Sequence, residues 1–195
     1  MPLDMPSRRT QADRSTTTRA ALETATIDLL VDSGWAAVSA VEVCKLAGVS
    51  RGAFHHHYPG LAVLFADALR RLYDEMVPEL SNPDERPPIA NLVELIDHTW
   101  SAVSNPRFKA VLEAWLAMSN DPSLRDEIGP VVADFAKLVG SQGLAAGFVD
   151  HHEQALYLMA RETLLGLALG RAVSGGQPLP HEVTVIAQLK QSVTA

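Results

Sequence analysis

Cysteine is almost missing from this chain. Cys44 is the only one in 195 residues, so no intrachain disulfide can form and a disulfide-stapled secreted scaffold is excluded. Long apolar runs are missing too. The most apolar stretch, Leu164 to Gly170, sits between Arg161 and Arg171 and falls far short of the roughly 18 residues that a membrane span needs. Met1-Pro2-Leu3-Asp4-Met5-Pro6 lacks the apolar segment of a signal peptide, so a cytoplasmic protein is expected. Positive charge is scarce: 16 Lys+Arg stand against 23 Asp+Glu, a net charge of −7. Taken whole, this is not a basic nucleic-acid protein. Strand-like alternation of useful length is absent, and so is any internal repeat. There is no Gly-x-Ser-x-Gly, no phosphate loop and no His-Glu-x-x-His, so neither an enzyme nor a bound cofactor is expected.

What the sequence does have is helical periodicity. Hydrophobic residues make up 47%, ample for a globular core. Residues 1–14 read as a flexible basic arm. A first helix is expected over about 16–33, with Leu22, Ala25 and Leu29 on one stripe and Gly34 stopping it in the αL conformation. Ser39-Ala40-Val41-Glu42 reads as a capping box opening a short helix of about 40–47. Ser50 is a second cap, and the third helix, about 51–57, must end before Pro59. A fourth runs over about 60–77. Pro78, Pro83, Pro87 and Pro88 then mark a linker, with further helices at about 88–104, 107–119, 122–142, 150–174 and 181–193. The chain is therefore all-α.

The two short helices joined by Ala47-Gly48-Val49-Ser50 form a helix-turn-helix. Gly48 supplies the positive φ of the turn, and the second helix is shaped to enter the major groove with its N-terminal end against base edges. Local charge agrees. Residues 1–58 hold six basic and six acidic residues, so the whole deficit of −7 lies beyond residue 58. Arg8, Arg9, Arg14 and Arg19 precede the motif, suited to phosphate contacts.

Val49-Ser50-Arg51-Gly52-Ala53-Phe54-His55-His56-His57-Tyr58-Pro59, with Gly34-Trp35 and Lys45-Leu46-Ala47-Gly48 upstream, resembles the DNA-binding region of the TetR family of bacterial regulators. The resemblance covers residues 19–65. It implies a homodimeric regulator that binds double-stranded operator DNA, usually as a repressor released by a small-molecule effector. It implies that Ser39 caps the second helix and touches phosphate, and that Ser50, Arg51 and Gly52 open the recognition helix. Arg51 would meet phosphate or guanine. His55 and His56 stand where the family places a contacting tyrosine and an aromatic or histidine, and Phe54 and Tyr58 fall at core positions. Leu61 stands where the family usually has a phosphate-holding lysine. That departure keeps open an alternative: a ligand sensor derived from a helix-turn-helix protein, with weak or lost DNA binding.

Residues 1–58 are thus the expected DNA-binding domain, with the fourth helix connecting, and 80–195 the effector-binding and dimerisation domain. Trp100, Phe108, Trp115, Met118, Phe135 and Tyr157 are the candidate ligand contacts, favouring an apolar or aromatic molecule. The helix over 150–174 is apolar on more than one face, so it should be buried on more than one side. With the last helix it is the expected dimer joint, through Leu156, Met159, Gly166, Gly170, Val173, Ile186 and Leu189. No metal site is expected, because His55, His56 and His57 point about 100° apart on a helix and cannot converge on one ion. Cys44 reads as a small buried filler and Trp35 as a core plug.

Overall fold

Serine hydroxyls start the two shortest helices. Ser39 Oγ accepts from the Glu42 backbone N–H at 3.2 Å and Ser50 Oγ from that of Ala53 at 3.1 Å, each satisfying a donor that the first helical turn leaves orphaned. A computed structural model describes residues 11–76, 91–145 and 151–194, with side chains described for 13–76, 91–137 and 151–194. Its described residues form helices α1 (Gln11–Ser33), α2 (Ala40–Ala47), α3 (Arg51–His57), α4 (Leu61–Met76), α5 (Leu92–Val103), α6 (Phe108–Asn120), α7 (Pro122–Ala145), α8 (His151–Val173) and α9 (Glu182–Ser192), with one 3₁₀ turn at Trp35–Ala37. No strand occurs among them.

Several expectations need correction. Helix α1 already begins at Gln11, inside the stretch read as a flexible arm; residues 1–10 lie outside the described residues. Gly34 has φ 74° and ψ 177°, which is not αL but an extended positive-φ conformation that essentially only glycine adopts. Glu42 does not complete the capping box, because its carboxylate pairs with Lys45 Nζ at 3.4 Å. Helix α7 runs on past the expected end near 142 to Ala145; an interior glycine weakens a helix by about 1 kcal/mol without stopping it. The linker read at Ser81 to Arg86 lies outside the described residues. Gly48 sits in αL at φ 67°, and the chain leaves the helix at Tyr58, just before Pro59.

Two cores form. The first gathers Leu22 and Ala25 of α1, Val43 and Cys44 of α2, Phe54 and Tyr58 around α3, and Leu64 of α4. The second gathers Ile27 and Leu30 of α1, the Phe65, Leu69 and Leu72 face of α4, and residues of α6, α7 and α8. Helices α1 and α4 therefore serve both, and the helix-turn-helix is bonded to the rest through two continuous rods. The α4 stripe Leu61, Leu64, Phe65, Ala68, Leu69, Leu72 follows i, i+3, i+4, i+7 spacing. Leu64 is fully buried, and truncating such a leucine costs about 2–5 kcal/mol. Leu61 packs against both cores.

Helices α5, α8 and α9 close the other end around Ile96, Ala160, Leu164 and Leu167. Arg171 of α8 donates to the buried Glu182 of α9 through Nε at 2.6 Å and through Nη2, while its guanidinium stacks 4.9 Å from the Trp100 ring centre. The pair keeps the Glu182 carboxyl below its ordinary value, chiefly through the Arg171 hydrogen bond.

Candidate nucleic-acid interface and effector cavity

On α3, burial sorts the residues into two sets. Phe54 is 1% exposed, and Tyr58, just past the helix, is 0%. Arg51, Gly52, His55 and His56 are all exposed, and their i, i+1, i+4, i+5 spacing places them on one outward face. Gly52 adds no side chain there; a Cβ would have only the Ser50 hydroxyl as a neighbour, at 3.8 Å. The face thus offers a guanidinium, two imidazoles and open backbone, the donor set that meets phosphates and base edges. Ser50 is exposed at its edge and Ser39 half-buried.

His57 turns off this face, half-buried; burial first, then His56 and Arg19, disfavour its protonation. Arg19, expected at phosphate, is engaged within the subunit instead. Its Nη2 meets Asp67 at 2.9 Å, its Nε donates to the Tyr58 hydroxyl at 3.4 Å, and its guanidinium lies over the Tyr58 ring. The Tyr58 hydroxyl in turn donates to Glu23 at 2.8 Å, and burial pushes it up to about 12. It stays neutral and ties the end of α3 to α1.

An apolar cavity of about 360 Å³ lies between α5, α6, α7 and α8, within the usual range of ligand sites. Phe108, Trp115 and Met118 line it from α6 and Phe135 from α7, so four of the six candidate ligand contacts come together. Two do not. Trp100 is held against Arg171, and Tyr157 is buried with Leu92 and Leu95 in a separate cluster. Sequence reasoning missed His98, Thr99, Arg161 and Leu165, which also line the cavity. A signal for Arg161 existed: Tyr157, Ala160, Leu164, Leu165 and Ala168 make an inward helical stripe, and Arg161 falls on it.

The same helix that walls the cavity also holds the helix-turn-helix. From α6, Lys109 Nζ donates to the Val31 carbonyl near the end of α1. Glu113 Oε2 accepts from the Trp35 N–H at 2.9 Å. Trp115 Nε1 donates to the Tyr73 hydroxyl of α4 at 3.0 Å, and Tyr73 stacks on Phe135 with ring centres 3.7 Å apart.

Of the seven dimer candidates, Met159 and Val173 stand out at 66% and 81% exposure, and Gly166 is also exposed, with open space where a Cβ would be. Leu156 packs with Tyr157, and Ile186 and Leu189 pack inward around Ile96 and Leu164. Gly170 is covered from within: a Cβ there would lie 2.7 Å from Leu179 Cδ1. The reading missed Leu158, Leu169 and Val183, which are exposed on the same side as Met159 and Val173 or on α9.

Two short helices joined at a positive-φ glycine, the second presenting an exposed polar face, form a helix-turn-helix. Residues 23–68 match the family of bacterial regulatory proteins called the tetR family. The HTH-type transcriptional regulator CymR of Pseudomonas putida is 32% identical over 126 residues, 63% of this chain and 62% of that protein. The chain thus matches under two thirds of that relative's length. Among solved structures, a transcriptional regulator from Rhodococcus sp. Rha1 superposes with TM-score 0.65 at 22% identity, covering 90% of this chain and 95% of that one. The multidrug binding protein EbrR complexed with imidazole gives TM-score 0.59 at 25% identity, covering 88% and 93%.

Proposed function

We propose that this protein is a cytoplasmic one-component repressor, not an enzyme, that binds operator DNA as a homodimer and is released by an apolar or aromatic small molecule. Residues 1–58, with α4 in support, carry the DNA contacts through Ser39, Ser50, Arg51, Gly52, His55 and His56. Residues 80–195 bind the effector and dimerise. The observation that carries this reading is the double duty of α6: Phe108, Trp115 and Met118 wall the cavity, while Lys109 and Glu113 grip the end of α1 and the turn after it. A molecule that repositions α6 therefore moves the helix-turn-helix. Half-sites lie about 34–36 Å apart on one DNA turn, so a small splay of the two recognition helices breaks simultaneous engagement. Coupling of roughly 1–3 kcal/mol suffices for such release.

One observation favours the alternative, a ligand sensor with weak or lost DNA binding. Two positions expected at phosphate are not free cations: Arg19 is paired with Asp67 and position 61 is an apolar leucine packed into both cores. A gel-shift against the DNA flanking the protein's own coding region separates the two. Specific retardation that Arg51→Ala weakens by about 1–3 kcal/mol supports the repressor reading. Binding only at the nonspecific level, with ligand binding intact, supports the sensor.

A further inference from the structure

We propose that the cavity takes an aromatic or apolar anion, with Arg161 receiving its carboxylate or sulfonate group. This rests on the effector reading above and specifies the ligand's charge.

The lining sets the body of the ligand. Phe108, Trp115, Phe135, Met118 and Leu165 present almost entirely carbon, so a molecule without a large apolar part would lose hydration there and gain little. The lining also sets the head. Among the described residues that line the cavity, Arg161 carries the one fixed charge, and no aspartate or glutamate faces it. Thr99, beside it, donates its hydroxyl to the Leu95 carbonyl at 2.7 Å.

The guanidinium is held in place by its neighbour on α8. Its Nε and Nη2 both donate to one oxygen of Glu162, at 3.0 and 2.6 Å. Glu162 is the next residue along α8, and its side chain is 63% exposed against 29% for Arg161. The carboxylate therefore holds the fork from the solvent side, and Nη1 takes no part in that pair. A neutral hydrocarbon filling the cavity would desolvate the guanidinium and give it nothing in exchange. An anion would fill the same space and offer a second partner beside Glu162, and arginine's planar fork suits a carboxylate or sulfonate.

Two dyes with one body and different charge test this: 8-anilinonaphthalene-1-sulfonate, and N-phenyl-1-naphthylamine, which lacks the sulfonate. Each is titrated by fluorescence into the intact protein, with circular dichroism as the check on folding. The sulfonate should bind about tenfold more tightly than the neutral dye. Arg161→Gln should abolish that preference while leaving the neutral dye within twofold. Arg161→Lys should keep part of it, and Glu162→Gln, which removes the competing carboxylate, should enlarge it. Ala102→Phe, on the cavity wall, should expel both dyes, which separates this site from exposed apolar faces. Equal binding of the two dyes, or an equal loss of both in Arg161→Gln, overturns the anion preference and leaves the cavity standing as an apolar site. Failure of Ala102→Phe to affect either dye, or failure of both to bind, overturns the proposal together with the reading of this cavity as the effector site.

Discussion

The Glu113 carboxylate accepts the Trp35 backbone N–H at 2.9 Å across 78 residues of sequence, passing close over Gly34, which has no side chain. A Cβ on Gly34 would sit 3.0 Å from Glu113 Oε1. Glu113→Ala should therefore leave the Trp35 N–H without its acceptor and cost about 1–3 kcal/mol, read by urea unfolding. Glu113→Gln keeps an acceptor oxygen and should cost much less. If the contact transmits the state of the cavity to the helix-turn-helix, the alanine variant should keep operator affinity but respond less to a releasing compound. Full release with an unchanged midpoint would remove Glu113 from the coupling route.

Leu61→Lys carries two expected effects of opposite value. A lysine there would add one phosphate contact per subunit, steepening the log–log salt slope of operator binding by roughly 0.9 per contact, near 1.8 for a dimer. Because Leu61 packs against both cores, the same change should also lower the melting temperature, less than a buried leucine truncation does because the lysine stem still covers apolar surface. A lower melting temperature with an unchanged slope would show that position 61 does not face the DNA.

What was legible in the sequence was local. Ser39, Ser50 and Gly48 act on N–H and C=O groups within a few residues, so their roles follow from spacing alone. The outward face of α3 followed in the same way, since burial of Phe54 and Tyr58 fixes where Arg51 and His55 point. What failed was decided by distant partners. Nothing near Arg19 in sequence announces Asp67, 48 residues on. Trp100 and Trp115 look alike as large apolar residues on neighbouring helices, yet Arg171 claims one face of the first while the second lines the cavity. Gly170 did mark a close approach, but the approaching group is Leu179 of the same subunit.

The Arg171–Glu182 pair predicts an acid-sensitive joint between α8 and α9. Arg171 holds the Glu182 carboxyl below the ordinary value of 4.5. A depressed carboxyl stabilises the folded state fully above its unfolded value, and that contribution fades as pH falls through the lower folded value. Stability should thus decline below pH 4.5, and Glu182→Gln should flatten that part of the profile. At neutral pH the variant should be less stable by about 3–5 kcal/mol, because Arg171 is left with a neutral partner in a mostly buried position. Thermal melts across acid pH for both proteins make the comparison. Parallel profiles would assign the acid loss to other carboxylates.

The dimer reading now rests on three of the residues the sequence suggested, Met159, Gly166 and Val173, joined by Leu169 and Val183. Met159, Leu169 and Val173 of α8 and Val183 of α9 are 66%, 46%, 81% and 79% exposed, an amount of bare apolar surface that a lone subunit gains nothing by keeping. Gly166 lies on the same side of α8, between Met159 and Leu169 in register, with nothing within 4 Å of where its Cβ would be. A backbone from a second copy can approach there, and a bulky side chain would hold it off. Gly170 tests something else, since a side chain there strikes Leu179 and disturbs the subunit's own turn between α8 and α9. Gly166→Leu and Leu169→Glu should therefore shift the protein from dimer to monomer in analytical ultracentrifugation while keeping its helical circular dichroism. Operator affinity in both should fall towards the nonspecific level, because one helix-turn-helix makes too few contacts alone. Gly170→Leu should instead lower the melting temperature, with dimerisation affected only through that loss. A Leu169→Glu protein that stays dimeric and binds operator normally would place the interface on another face of the molecule.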